Sequence, residues 1–230
     1  MKNLLKILAL VLVFAMTAVM FVACDKDNND DKGGSGDGQQ TPVVTVDTNI
    51  TDASLKNMVS GGKLHVTAVG QSATSTVKQL LKNAGWYITE EAEGAANVKG
   101  TYTINNTLTA SGINAGDTVI IILGTSGKGL GAAGVSQADE LARAQAIVAK
   151  EGVKVIAIHT GGKGYRGESS DPIIEAVVPH ADVALVVDAG DGQGGNYDNL
   201  FTTLCGSNVP LYVFSRASNM VASIKHLVNA

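Results

Sequence analysis

Two Gly-Lys-Gly triplets, centred on Lys128 and Lys163, are the residues best suited to chemistry in this chain. The first lies in GTSGKGLGAAG, Gly124 to Gly134, and the second in HTGGKGYRGESSD, His159 to Asp171. Glycine-rich turns let backbone N–H groups approach a phosphate or carboxylate, and a lysine ammonium or the Arg166 guanidinium supplies the opposite charge. Gly129, Gly131 and Gly134 spell a literal GxGxxG, but the pattern departs from a dinucleotide fingerprint. Gly129 comes five residues after Gly124, and His159 stands where a ribose-binding acid would end the next strand. Neither loop is a Walker A motif, because no Ser or Thr follows the Lys. The expected ligand is a small anion, and no cofactor is assigned.

Other candidates gather around these loops. Gly70 to Thr74, GQSAT, places Ser72 between small residues at a strand-to-helix turn, a nucleophile-elbow arrangement lacking its last glycine. A hydrolase using Ser72 or His159 is therefore the alternative reading, although His159 precedes Asp188 in the chain and His226 falls inside a helix. Asp188, Asp191 and Asn196 form a third loop able to pair with Lys163 and Arg166. The ligand-binding set is Gln71, Ser72, Ser126, Lys128, Gly129, Gly131, His159, Gly162, Lys163, Arg166 and Asp188. His65 reads as a satisfied core residue, His180 as a helix-dipole partner and His226 as a helix-surface residue. Cys205 reads as a small buried hydrophobe. No CxxC, HExxH or Cys/His cluster is present, so no metal site is expected.

The elements that must position these groups alternate. LHVTAVG (64–70), WYITEE (86–91), TVIIILG (118–124), VKVIAIH (153–159), DVALVVD (182–188) and PLYVFS (210–215) read as strands, the third and fifth apolar enough to be covered on both faces. Val77, Leu80, Leu81 and Ala84 follow helical spacing, with Gly85 at the C-cap. Ser136 and Asp139 suit a capping box before Leu141, Ala144 and Val148, with Gly152 closing that helix. Asp171-Pro172 reads as an N-cap and first helical residue, Asn196 as the cap of a helix running to about Cys205, and the last helix as 218–228. A short helix is expected near 53–59. Residues 92–117 break the rhythm, suggesting a small hairpin around TYTI and one helical turn after Thr109.

Alternating strands and helices predict an α/β fold: a doubly wound, three-layer sandwich with a mainly parallel six-stranded sheet, Rossmann- or flavodoxin-like. Order 2-1-3-4-5-6 is favoured and 3-2-1-4-5-6 is the alternative. In the favoured order the switch point lies between the first and third strands, where such sheets bind ligands.

Composition narrows the partners. The 230 residues include 27 Gly but only 4% aromatics, and the formal charge is −4. An excess of acids over bases argues against a nucleic-acid partner. Lys2 and Lys6 precede an apolar run from Ile7 to Ala23, a targeting segment close to the lower bound of about 17 residues for a membrane span. Phe21-Val22-Ala23-Cys24 resembles the lipobox of bacterial lipoproteins, which implies cleavage before Cys24 and its lipidation; an uncleaved membrane anchor is the alternative. Losing Lys2 and Lys6 takes the charge from −4 to −6, half of it on the acidic, glycine-rich stretch that follows. That stretch reads as a disordered tether. The expected organisation is a signal peptide (1–23), lipidated Cys24 with its tether (24–42) and one α/β domain (43–230), held outside the cytoplasm on the cell membrane or the outer membrane.

At GQSA, GTSGKGLGAAG and AIHTGGKGYRGESSD the domain resembles an uncharacterised family of exported or lipoprotein-type Rossmann-like bacterial domains. The likeness covers Lys63 to Val228, apart from an apparent insertion between about Glu90 and Thr107. It implies the fold and the boundaries and carries no activity. Besides the anion-binding and hydrolase readings, a protein-interaction module with no small-molecule site remains open, as does the oligomeric state.

Overall fold

Six apolar runs become strands because β-branched residues fit a pleated surface covered from both sides. They are β1 (Leu64–Val69), β2 (Trp86–Ile88), β4 (Thr118–Leu123), β5 (Lys154–His159), β6 (Val183–Val187) and β7 (Leu211–Phe214), joined by β3 (Gly100–Ile104). This computed structural model describes residues 45–72, 74–191 and 199–228; the leader, Cys24, the tether and Asn196 lie outside them. Thr41–Ala230 forms one compact unit. One sheet runs in the order β2-β3-β1-β4-β5-β6-β7, and every pairing between these strands is parallel.

The sheet therefore has seven strands rather than six, and neither expected order holds. The difference lies at TYTI, which forms no hairpin. It inserts as β3 between β1 and β2, with Tyr102 opposite Leu64 on one side and Ile88 on the other. Tyr102 is 2% exposed, whereas its neighbours Thr101 and Thr103 are exposed and half-buried. One buried aromatic in an alternating polar strand is enough to hold it in the sheet, a weak signal beside glycine- and asparagine-rich flanks. WYITEE is correspondingly shorter than expected, because Thr89–Glu91 turns into a single 3-10 turn. The expected neighbours β1 and β4 do pair, residue for residue from Leu64–Thr118 to Val69–Leu123.

Helices cover both faces. On one, α1 (Ser75–Asn83) and α6 (Val221–Val228) pack Val77, Leu80, Leu81, Ile224 and Leu227 against Leu64, Val66, Ala68, Ile120 and Ile122. On the other, α3 (Gln137–Val148), α4 (Asp171–Val177) and α5 (Leu200–Cys205) bring Ala144, Ile147, Ile173, Ile174, Val177 and Phe201 against Val69, Val119, Ile121 and Leu123. Ser136 and Asp139 form the capping box of α3, with Asp139 N–H donating to Ser136 Oγ (3.1 Å) and Ser136 N–H to Asp139 Oδ2 (3.0 Å). Asp171 is the first residue of α4 rather than its cap, one place further in than expected. The 53–59 helix contracts to a 3-10 turn, Ala53–Leu55, and a similar turn, Ala110–Gly112, follows Thr109 as expected. Cys205 is buried and its thiol is pushed up to about 12 by desolvation first and by Asp191 second, so it is inert at neutral pH. Before β1, Val46 bridges to Val213 and the Asp47 carboxylate accepts the Ser215 N–H (2.9 Å), tying this lead to β7.

Candidate functional site

The carboxyl ends of β1, β4, β5 and β6 carry the candidate residues, and their loops are laced together. At the switch point Gly70 passes so close to the next loop that a Cβ would sit 2.7 Å from the Gly124 carbonyl oxygen. That closeness lets Ser126 N–H donate to Gly70 O (2.8 Å) and Gln71 bridge to Thr125. Thr125 in turn donates its N–H to Ser170 Oγ (2.9 Å) and its hydroxyl to Ser169 O, joining the loop after β4 to the loop after β5. Arg166 Nη1 donates to Ala189 O (3.3 Å), which joins that loop to the one after β6.

Most of the candidate side chains serve this lacing. GKGLGAA is not an open loop: Gly127–Ala133 is a short helix, α2. Ser126 Oγ caps it by accepting Gly129 N–H (3.0 Å), and Leu130 N–H goes to Ser126 O (2.8 Å). The expected cradle of open amides from Gly129 to Gly134 is thus corrected; helical hydrogen bonding consumes them. Gly129 is glycine because a Cβ there would run into the Gln71 carbonyl, whereas Gly131 faces open space. Gln71, itself at φ 56, donates its side-chain amide to Asn106 O (3.1 Å).

His159 is fully buried between two carbonyls, with Nδ1 3.1 Å from Leu123 O and Nε2 3.1 Å from Gly162 O. A neutral imidazole donates to only one of them. Burial holds its pKa below the ordinary 6.5 despite the two carbonyls, and Arg166 adds to that effect. Arg166 is held by the Asp171 carboxylate (Nε to Oδ1, 2.7 Å) and lies 5.5 Å from the Phe201 ring centre. Burial alone would raise the Asp171 carboxyl, but Arg166 and Gly167 N–H keep it below its ordinary range. Asp188 accepts Gly190 N–H (2.9 Å).

Ser72 is buried, and its hydroxyl has no hydrogen-bond partner. With both nitrogens of His159 facing carbonyls, the Ser72–His159 hydrogen bond that a hydrolase reading needs is not formed. Lys128, in α2, and Lys163, in the 3-10 turn Gly162–Tyr165, are exposed in the connections that follow β4 and β5. Among the described residues no group of three or more His, Cys, Asp or Glu side chains is placed to hold a metal.

One pair under the rim escaped sequence reading. Glu140 is 2% exposed and accepts Gly70 N–H (2.7 Å) while gripping Arg143 through both oxygens (3.0 and 2.8 Å). Arg143 reaches on to Ala68 O (2.7 Å), Leu108 O (3.1 Å) and Thr67 Oγ1 (2.9 Å). Burial would raise the Glu140 carboxyl, but Arg143 and Gly70 N–H hold it below its ordinary range. The only sequence trace is an acid three residues before an arginine on the helix face that carries Ala144 and Ile147.

A seven-stranded parallel sheet with helices on both faces, a switch point between β1 and β4 and glycine-rich loops on its carboxyl rim defines a doubly wound α/β domain. The chain belongs to the family described as Domain of unknown function (DUF6305), which matches residues 62–228 and so takes in every strand and helix from β1 to α6. No curated protein and no solved structure matches it.

Proposed function

We propose that this chain is a lipoprotein, cleaved before Cys24 and lipidated there, whose Rossmann-like domain stands outside the cytoplasm on an acidic tether. We infer that its carboxyl rim binds a small anionic ligand, or an anionic group of a partner, chiefly through Lys128 and Lys163. The observation that carries the binding reading is the lacing of four loops into one rim at the switch point, with the two Gly-Lys-Gly lysines exposed in the connections that follow the adjacent strands β4 and β5. His159, Arg166, Gly129 and Ser126 build the rim, and the lysines recognise the ligand. The anchor rests on the Lys2/Lys6 flank, the apolar run and the sequence Phe21 to Cys24. Two acyl chains hold a protein on a bilayer where one is marginal.

Thermal unfolding of the purified full-length chain against inorganic phosphate, sugar phosphates, nucleotides and dicarboxylates tests the binding. An anion at 100 times its dissociation constant adds about 2.7 kcal/mol. A Lys128→Gln/Lys163→Gln double variant is expected to lose that gain while keeping a cooperative melt without ligand. A flat screen overturns the small-ligand reading and leaves the rim to a macromolecular partner. Cys24→Ala is expected to abolish signal processing and release the chain from the membrane fraction; unchanged retention overturns the lipoprotein reading.

A further inference from the structure

The other end of the sheet holds a group that no motif announces. His65 and Thr103 are direct neighbours across the parallel β1–β3 pair, both on the face opposite Leu64, Val66 and Tyr102. His65 Nδ1 lies 2.9 Å from Thr103 Oγ1, and His65 Nε2 lies 3.1 Å from Asp117 Oδ2. Asp117 enters from the turn before β4, where it accepts the N–H groups of Lys63 (Oδ1, 2.8 Å) and Asn114 (Oδ2, 2.8 Å). Burial alone would raise this carboxyl; those two amides and His65 hold it below its ordinary range.

An ionised Asp117 accepts only, which fixes the proton of a neutral His65 on Nε2. Nδ1 is left with a lone pair, so the Thr103 hydroxyl must donate to it. That is the proton arrangement of a hydroxyl activated by a base whose orientation a carboxylate sets. Burial differs along the series in a useful way. His65 is 6% and Asp117 3% exposed, while Thr103 is only half-buried.

We propose that Thr103, His65 and Asp117 form a second site, in which Thr103 Oγ1 accepts an acyl group from an activated ester. Thr103 Oγ1 adds to the carbonyl carbon while its proton passes to His65 Nδ1. Collapse of the adduct breaks the bond to the leaving oxygen, which takes the proton as the alcohol, and an acyl-threonine ester remains. Water attacks that ester with the same proton transfers, releasing the carboxylic acid and restoring Thr103. His65 is the base, and Asp117 is a positioning residue that fixes its tautomer. This site is independent of the anion-binding rim.

The test is acid-quenched reaction of the full-length chain with p-nitrophenyl acetate, followed by peptide mass mapping. An acetyl group on Thr103 is expected, present in Thr103→Ser and absent from Thr103→Val, a substitution at a half-buried position that leaves the core intact. His65→Gln is expected to slow labelling about 10²–10⁴-fold, the usual worth of a general base. Asp117→Asn should lower the maximal labelling rate and leave the half-saturating ester concentration unchanged. Folded wild-type chain with no adduct at Thr103, or a folded His65→Gln variant that labels as fast as wild type, overturns the proposal. A change in half-saturation as large as that in rate would reduce Asp117 to scaffolding and overturn its part.

Discussion

The carboxyl rim and the His65 corner, at opposite ends of β1, both bury a histidine, and they use it differently. At the rim His159 faces two backbone carbonyls, and Arg166 and Glu140 likewise end on backbone groups or on partners that do. At the corner both nitrogens of His65 meet side chains, one of which is half-buried rather than sealed. A polar group committed to the main chain fixes the path of a loop. The same group committed to a hydroxyl and a carboxylate sets a proton. The sequence advertises the first region through its glycines and lysines and hides the second in strands, so motif density marks architecture here more than reactivity.

The strongest way to break this contrast is through the pair that pins the rim from below. Glu140→Gln leaves Arg143 buried without its charge partner, which typically costs 3–5 kcal/mol, and urea unfolding should register a loss on the order of that size. A change under 1 kcal/mol would mean that the rim does not depend on the pair. Within GxGxxG the two glycines are expected to move in opposite directions. Gly129→Ala drives a Cβ into the Gln71 carbonyl and should cost about 1–3 kcal/mol as overpacking does. Gly131→Ala meets open space inside a helix and should gain about 0.4–1 kcal/mol. Equal and neutral effects, together with lost anion binding in both, would return the motif to a ligand role.

What the sequence disclosed follows the same division. Apolar runs and helix ends were legible because their signals are local: Val77, Leu80 and Leu81 are buried at helical spacing, and Ser136 and Asp139 sit three apart as a capping box requires. The choice between hairpin and inserted strand at TYTI depended on Tyr102 pairing with Leu64 and Ile88, contacts distant in the chain whose one local trace is a single aromatic among threonines. For the site, the loops came out on one rim because every pairing is parallel, which fixes the edge on which strands end. Their internal bonding did not, because GKGLGAA has low helix propensity and becomes helical only through the Ser126 cap and the close seat on Gln71. Asp117, His65 and Thr103 come from three separate strand ends, and only the register unites them.

Acid tests whether the rim histidine belongs to the scaffold. His159 is held below 6.5 by burial in the folded state and returns to that ordinary value when the chain unfolds. Below 6.5 the unfolded chain therefore binds more protons than the folded one, and stability falls as the pH drops. The contribution is complete above 6.5 and is lost from there down to the lowered folded-state value, with a slope of at most about 1.4 kcal/mol per pH unit for one group. Urea unfolding of wild type and His159→Gln between pH 7.5 and 5 measures the difference directly. The variant is expected to show a shallower fall with acid than wild type, since its amide carries no titrating proton and still reaches a carbonyl. Parallel curves would mean that His159 accepts its proton without disturbing the rim, and the buried imidazole would then belong with the reactive groups rather than with the scaffold.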